Sequence, residues 1–291
     1  MSERFTHVLN IISEDARFLA EELSPIGGRF EWLSDGYAFD ILIPDNPTAV
    51  LAAARNAVGE ISADFNIVPV ANRRKKLVIA DMDSTIIGCE CIDELADQVG
   101  IKPKVSAITE RAMRGEIDFP SALRERVALL KGLPLAALAE VYSERVRLNP
   151  GARSLTATMR AHGAHTLLVS GGFTYFTTRV AEAAGFESHQ ANRLADDGLA
   201  LTGKVIEPIL GREAKLEALR SSVVRLGITS EDVLAVGDGA NDLDMVRAAG
   251  LGVAYHAKPV VAAAAAASIA HNDLTALLYL QGYREEEIVP A

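Results

Sequence analysis

The chain lacks the features that mark several classes of protein. It has no excess of cations: 29 Lys and Arg stand against 39 Asp and Glu, a formal net charge of −10. This argues against nucleic acid as a partner, because phosphate backbones are held by clustered cations that release counterions. A single local phosphate site is still compatible with that balance. Long apolar runs are also missing. The longest, near Val260 to Ala270, is interrupted by Ser268 and falls far short of the roughly 18–20 residues that span a bilayer. No membrane partner is expected. The first residues, MSERFTHVLN, lack the apolar stretch of a secretory signal, so a cytoplasmic location is the default expectation. Cysteine is scarce: Cys89 and Cys91 are separated by one residue, which suits neither a disulfide nor a zinc site. Both are expected to be structural thiols. No internal repeat of fixed period is present.

What is there is a chain of 291 residues, 49% hydrophobic, long enough for one large domain or two to three smaller ones. Residues 1–72 alternate strand-like and helix-like patterns: THVLNII, SEDARFLAEELSPI, the hairpin GRFEWLSDG and YAFDILIP, then PTAVLAAARNAVGEI and FNIVPVA. This βαββαβ order is a ferredoxin-like α+β arrangement. Ser13 offers a helix N-cap and Gly27-Gly28 a stop. The run ANRRKK at 71–76 reads as a solvated linker. Beyond it KLVIAD, HTLLVSGG, DVLAVGDG and LGVAY are continuous apolar strands, expected in a parallel sheet covered by helices on both faces. Residues 90–148 are helical, too long for a simple crossover, and predict a small helical domain inserted after the first core strand. The core is then 73–89 together with 149–291. A second insertion, FESHQANRLADDGLALTGKVIEP, reads as a hairpin, and the alanine-rich stretch after Pro259 as a helix.

Three of those strands end in polar or glycine-rich turns, DMDST at 81–85, SGGF at 170–173 and GDGANDLD at 237–244, with Lys215 before the third. Ligands of open α/β sheets bind at the carboxyl ends of strands. Asp81, Asp83, Asp238 and Asp242 would then share one crevice, and four carboxylates in a desolvated site imply a hard divalent cation such as Mg2+. Asp81 and Asp83, two positions apart, face the same side of an extended segment, so one can be a nucleophile and the other an acid or base. The hydroxyl of Ser170, the amides of Gly171 and Gly172 and the charge of Lys215 suit a phosphoryl group. Any one of these turns is commonly a helix cap or an ordinary turn. The three turns and Lys215 together in this order are not.

The set DMDST, the Ser170 turn, Lys215 and GDGANDLDM resembles the haloacid-dehalogenase-like phosphatases. With ECIDELA and FPSALRERVALLKGLP in the insertion, it is similar within them to the phosphoserine phosphatase family, from about Lys76 to the C-terminus. The resemblance implies a Rossmannoid sheet with a helical-bundle cap and the hydrolysis of O-phospho-L-serine to L-serine, the last step of serine biosynthesis. Asp81 would be the nucleophile that becomes an aspartyl-phosphate, and Asp83 the general acid and then base. The metal ligands would be Asp81, the Asp83 carbonyl and Asp238, with water. Ser170, Gly171, Lys215 and Asn241 would contact the phosphoryl oxygens, with Asp242 supporting Lys215. Glu90 would take the ammonium, Arg126 the carboxylate, and Met113 and Phe119 would close over the substrate. Glu90 and Arg126 also admit plainer readings, as a first-turn helix acid and as the partner of a carboxylate such as Glu125 or Glu110. The N-terminal unit resembles ACT domains, which bind amino acids, and a homodimer through it is a further expectation. Two rival functions are phosphoryl transfer from phosphoserine to another hydroxy amino acid, and an inactive amino-acid sensor.

Overall fold

The computed structural model describes residues 5–43, 47–114 and 116–290, and of Pro47 and Met113 the backbone alone. The chain begins with β1 (His7–Ile12), α1 (Ala16–Glu22), β2 (Arg29–Ser34), β3 (Ala38–Ile43), α2 (Pro47–Val58) and β4 (Asp64–Pro69). These form a four-stranded sheet of order β2-β3-β1-β4, antiparallel in every pair. One sheet face supplies Leu9, Ile11, Phe39 and Ile41 to a core closed by Leu19 and Ala54 of the two helices. Alternation of period two along β1 and β3 produces that face.

The rest is built on β5 (Leu77–Ala80), whose four residues are all buried. The helices α3 (Cys91–Gln98), α4 (Lys102–Met113), α5 (Phe119–Ala128) and α6 (Leu135–Arg145) follow, and α7 (Ala152–Ala161) leads back to β6 (His165–Phe173). Next come α8 (Thr174–Ala184), β7 (Ser188–Asp196), β8 (Leu201–Ile206), α9 (Arg212–Leu226) and β9 (Val233–Gly237). The chain ends with α10 (Leu243–Ala248), β10 (Leu251–Tyr255), α11 (Pro259–Ala262), β11 (Ala267–Ile269) and α12 (Ala276–Leu280). The second sheet has seven strands in the order β11-β10-β9-β5-β6-β7-β8, parallel except for the β7–β8 pair. Apolar clusters lie on both of its faces, which is why its central strands read as unbroken apolar runs. Among the described residues no helix is long and apolar enough to cross a membrane.

Two local expectations are corrected and a third, the hairpin, is extended. The alanine-rich stretch is helical only over Pro259–Ala262, after which Ala267–Ile269 becomes an edge strand paired with Val253–Tyr255. Long-range pairing outweighs alanine's helix preference there, and the Asn66 side-chain amide completes it by bonding both N–H and C=O of Ser268 at 2.8 and 3.0 Å. The second insertion is a hairpin, but its first strand also extends the main sheet, with Ser188 to Gln190 parallel to Leu167 to Val169. The ANRRKK run is solvated only in part: Ala71, Asn72, Arg74 and Lys76 are exposed, but Lys75 is buried and Arg73 largely so. Arg73 grips Asp40 with two nitrogens and donates to the carbonyls of Tyr279 and Leu280, and Arg74 pairs with Glu287. Lys75 is buried, its ammonium 2.7 Å from the carbonyls of Asn72 and Glu231. The carboxylate of Asp64, in β4, likewise accepts from the backbone of Ala270, His271 and Asn272. The basic run thus fastens the two sheets to each other.

Candidate active site

The three functional turns meet because β9, β5 and β6 are neighbours: Ala80 is in register with Val236 on one side and Leu168 on the other. The residues that follow emerge side by side at the carboxyl edge. They floor a cavity of about 470 Å³ whose opposite wall is Glu90, Asp93, Thr109, Phe119, Leu123 and Arg126. Of the residues expected from sequence, Asp81, Asp83, Glu90, Phe119, Arg126, Ser170, Gly171, Asp238 and Asn241 all line it. Met113 ends α4, and its side chain lies outside the described residues.

Asp81 follows β5 with extended backbone, and its Oδ1 accepts from the amide of Met82 at 2.8 Å and from the ammonium of Lys215 at 2.7 Å. Lys215 does not line the cavity. It is buried behind the floor, its Nζ also 2.6 Å from Oδ1 of Asp242, so the expected support of Lys215 by Asp242 is a direct ion pair. Asp83 is held at both oxygens, Oδ1 by the amide of Cys91 at 2.9 Å and Oδ2 by the hydroxyl of Ser170 at 3.1 Å. Gly172 is required at its position: a Cβ there would stand 2.8 Å from Oδ2 of Asp83. Asp238 accepts from Thr85 at 3.2 Å. Asp81, Asp238 and Asp242 each place one carboxylate oxygen within 4.8 Å of the others.

Burial is the main cause of the perturbed acidities. It pushes Asp81 well up, reinforced by Asp242 and opposed by Lys215, and it raises Asp83 and Asp238 as well. Burial pulls Lys215 down, but the carboxylates of Asp242 and Asp81 outweigh it and leave the ammonium firmly charged. Carboxylates that burial and each other make hard to ionise are a site that a cation would relieve.

On the opposite wall, Glu90 precedes α3 but caps nothing; its Oε1 accepts from the hydroxyl of Ser84 at 2.7 Å. Burial of the carboxyl beside Asp83 pushes it up to about 7 although the residue keeps contact with solvent. Arg126 pairs with neither Glu125 nor Glu110, which bind Arg111 and Arg114 instead, and among the described residues it has no ion-pair partner. Phe119 lies against Gly171 and Gly211, where an added Cβ would approach its ring to 3.2 and 3.1 Å. Motif reasoning missed Asp93, Thr109 and Lys258, which also line the cavity. Lys258 follows β10, so its place beyond a parallel strand was a usable signal. Asp93 and Thr109 are ordinary helix residues with no distinguishing pattern.

The chain matches the model of the haloacid dehalogenase-like hydrolase family over residues 78–247. It is 48% identical over 210 residues to a phosphoserine phosphatase of Albidiferax ferrireducens, covering 70% of this chain and 89% of that protein. Among solved structures, a HAD-family hydrolase from Salmonella enterica serovar Typhi superposes with a TM-score of 0.86 at 30% identity, covering 95% of this chain and 98% of that one. A probable phosphoserine phosphatase from Vibrio cholerae, unliganded, gives 0.80 at 32% identity over 98% of this chain and 88% of its own.

Proposed function

The chain belongs to the haloacid dehalogenase-like hydrolases, and from that premise we propose that it is a Mg2+-dependent phosphoserine phosphatase acting in the cytoplasm, at the last step of serine synthesis. The observation that carries this reading is one cavity with two chemically distinct walls. Asp81, Asp83, Ser170 and Asn241 lie on the sheet side, and an acid and an unpaired guanidinium, Glu90 and Arg126, on the helical side. The first wall suits a phosphoryl group; the second suits an ammonium beside a carboxylate.

In this mechanism Glu90 takes the substrate ammonium and Arg126 its carboxylate. Ser170, the Gly171 amide and Asn241 hold the phosphoryl oxygens, while Lys215, behind the floor, acts on the site through its ion pair with Asp81. An Asp81 oxygen forms a bond to phosphorus as the bond to the serine oxygen breaks, and Asp83 delivers a proton to the departing alkoxide. Asp83 then takes a proton from water as the water oxygen bonds phosphorus and the Asp81 carboxylate leaves, so phosphate is released. The oxygen-only donor set fits Mg2+, with Asp81, Asp238 and the Asp83 carbonyl as ligands. When bound, Mg2+ supplies positive charge that favours ionised Asp81 and offsets charge on the phosphoryl oxygens.

We also read residues 1–72 as a ferredoxin-like, ACT-like domain, 73–89 with 149–291 as the catalytic core, and 90–148 as a helical cap over the cavity. Element and sheet order support the first and the cap's cavity-lining side chains the last. Pairing of two chains through the N-terminal unit belongs to the same reading; β2, paired on one side with β3, has no strand on its outer edge among the described residues.

Phosphate release from phosphoserine, phosphothreonine and phosphoglycolate with Mg2+ tests the proposal. Phosphoserine should be turned over fastest and phosphoglycolate, which lacks the ammonium, far more slowly. Equal rates would overturn the substrate assignment. Phosphohomoserine formed on adding homoserine would assign a transferase instead.

A further inference from the structure

We propose that Thr109 is a positioning residue that sets the guanidinium of Arg126 for the substrate carboxylate; the inference rests on the phosphoserine reading above. Arg126 sits in α5 and Thr109 in the crossing helix α4, and both line the cavity. The Thr109 hydroxyl donates to the carbonyl of Val105 at 3.2 Å, one turn back in its own helix. Its only proton is thereby committed, so the oxygen faces Arg126 as an acceptor, and Nη1 of Arg126 donates to it at 3.4 Å. The Nε of Arg126 donates to the carbonyl of Ala122 at 3.3 Å. Two of the five guanidinium N–H groups are thus tied to neutral oxygens of two different helices, which fixes the plane of the group. The remaining three include both on Nη2, available for a two-point grip on a carboxylate.

The tie is made without charge. Burial disfavours the Arg126 cation, and Asp93 and Glu90 help to hold it, yet neither comes within ion-pair range. A carboxylate in Thr109's place would compete with the substrate for the same cation. A hydroxyl orients the guanidinium and leaves its charge for the ligand. Thr109 also links α4 to α5, so the grip on the carboxylate depends on the two helices keeping their relative position.

The test uses the full-length enzyme with Mg2+ and three substrates: O-phospho-L-serine, O-phosphoethanolamine, which lacks the carboxylate, and an aryl phosphate. T109V removes the hydroxyl and keeps the shape. It should raise KM for phosphoserine by about three- to tenfold, the range of one lost hydrogen bond, and leave kcat for phosphoserine and both other substrates unchanged. T109S should restore KM, and T109V should add nothing in an R126A background. An unchanged KM for phosphoserine in T109V, or an equal loss on all three substrates, would overturn the proposal. A wild-type enzyme that shows no preference for phosphoserine over phosphoethanolamine would overturn the reading beneath it as well.

Discussion

The ammonium of Lys215 lies 2.7 Å from Oδ1 of Asp81, with Asp81 on the floor of the cavity and Lys215 buried behind it. Asp242 completes the cluster at 2.6 Å, so one cation is shared by two carboxylates. Removing it leaves two buried negative charges facing each other. Lys215→Met should therefore cost on the order of 3–5 kcal/mol of stability in metal-free protein, read as a shift in denaturation midpoint. Asp242→Asn in that background should recover part of the loss. A midpoint equal to wild type would mean the cluster carries no net interaction.

The same carboxylates predict a response to cations that is independent of turnover. Mg2+ should raise Tm, because it binds only the folded arrangement of Asp81 and Asp238. Asp238→Asn should weaken the rise, and EDTA should both remove it and stop phosphate release. Thermal scans with and without Mg2+ decide this.

Arg126→Ala should raise KM for phosphoserine by roughly tenfold or more while hardly altering the hydrolysis of an aryl phosphate, because it removes a charged contact to the substrate and no part of the phosphoryl machinery. Steady-state kinetics on both substrates measure the contrast. Equal losses would place Arg126 in the packing of the helical wall and not in recognition.

The acidity of Glu90 gives a pH dependence. Burial raises its carboxyl to about 7, so it is ionised above that pH and neutral below it. Attraction for the substrate ammonium is present on the alkaline side and lost as pH falls through about 7. The ratio of kcat/KM for phosphoserine to that for an aryl phosphate should therefore fall below pH 7, since groups serving both substrates cancel. Glu90→Gln should flatten the ratio.

Asp64 fastens the N-terminal sheet to the core through three consecutive backbone amides. Asp64→Ala would leave those donors without their acceptor, at a cost of about 1–3 kcal/mol or more. Chemical denaturation should show the loss. The kcat for phosphoserine should stay near wild type while the fold persists, because Asp64 is remote from the cavity lining.

Much of the site was legible along the chain because its chemistry is confined to short turns. Asp81 with Asp83, Ser170 with Gly171 and Asp238 with Asn241 each follow an apolar run, and buried parallel strands are recognisable by composition. Thr109 and Asp93 were not legible, since a helix residue acquires a function only from the helix it crosses. The basic run at 71–76 misled for a related reason. Charges next to each other suggest solvent, but the partners of Arg73 lie 33 to 207 residues away in the chain, and Lys75 reaches Glu231, 156 residues away, as well as its neighbour Asn72.

Local sequence by itself determined most of the strand and helix order and the carboxylate-bearing turns, because periodicity and turn chemistry act over a few residues; the roles of Glu90 and Arg126 followed only from the family resemblance. Tertiary structure alone decided that Lys215 lies behind the floor and not on it, that the alanine-rich stretch closes the sheet as a strand, and that Arg126 stays free of ion pairs with its plane set by Thr109. Those outcomes depend on which distant groups burial brings within a few ångströms, where desolvation makes a single hydrogen bond or charge decisive.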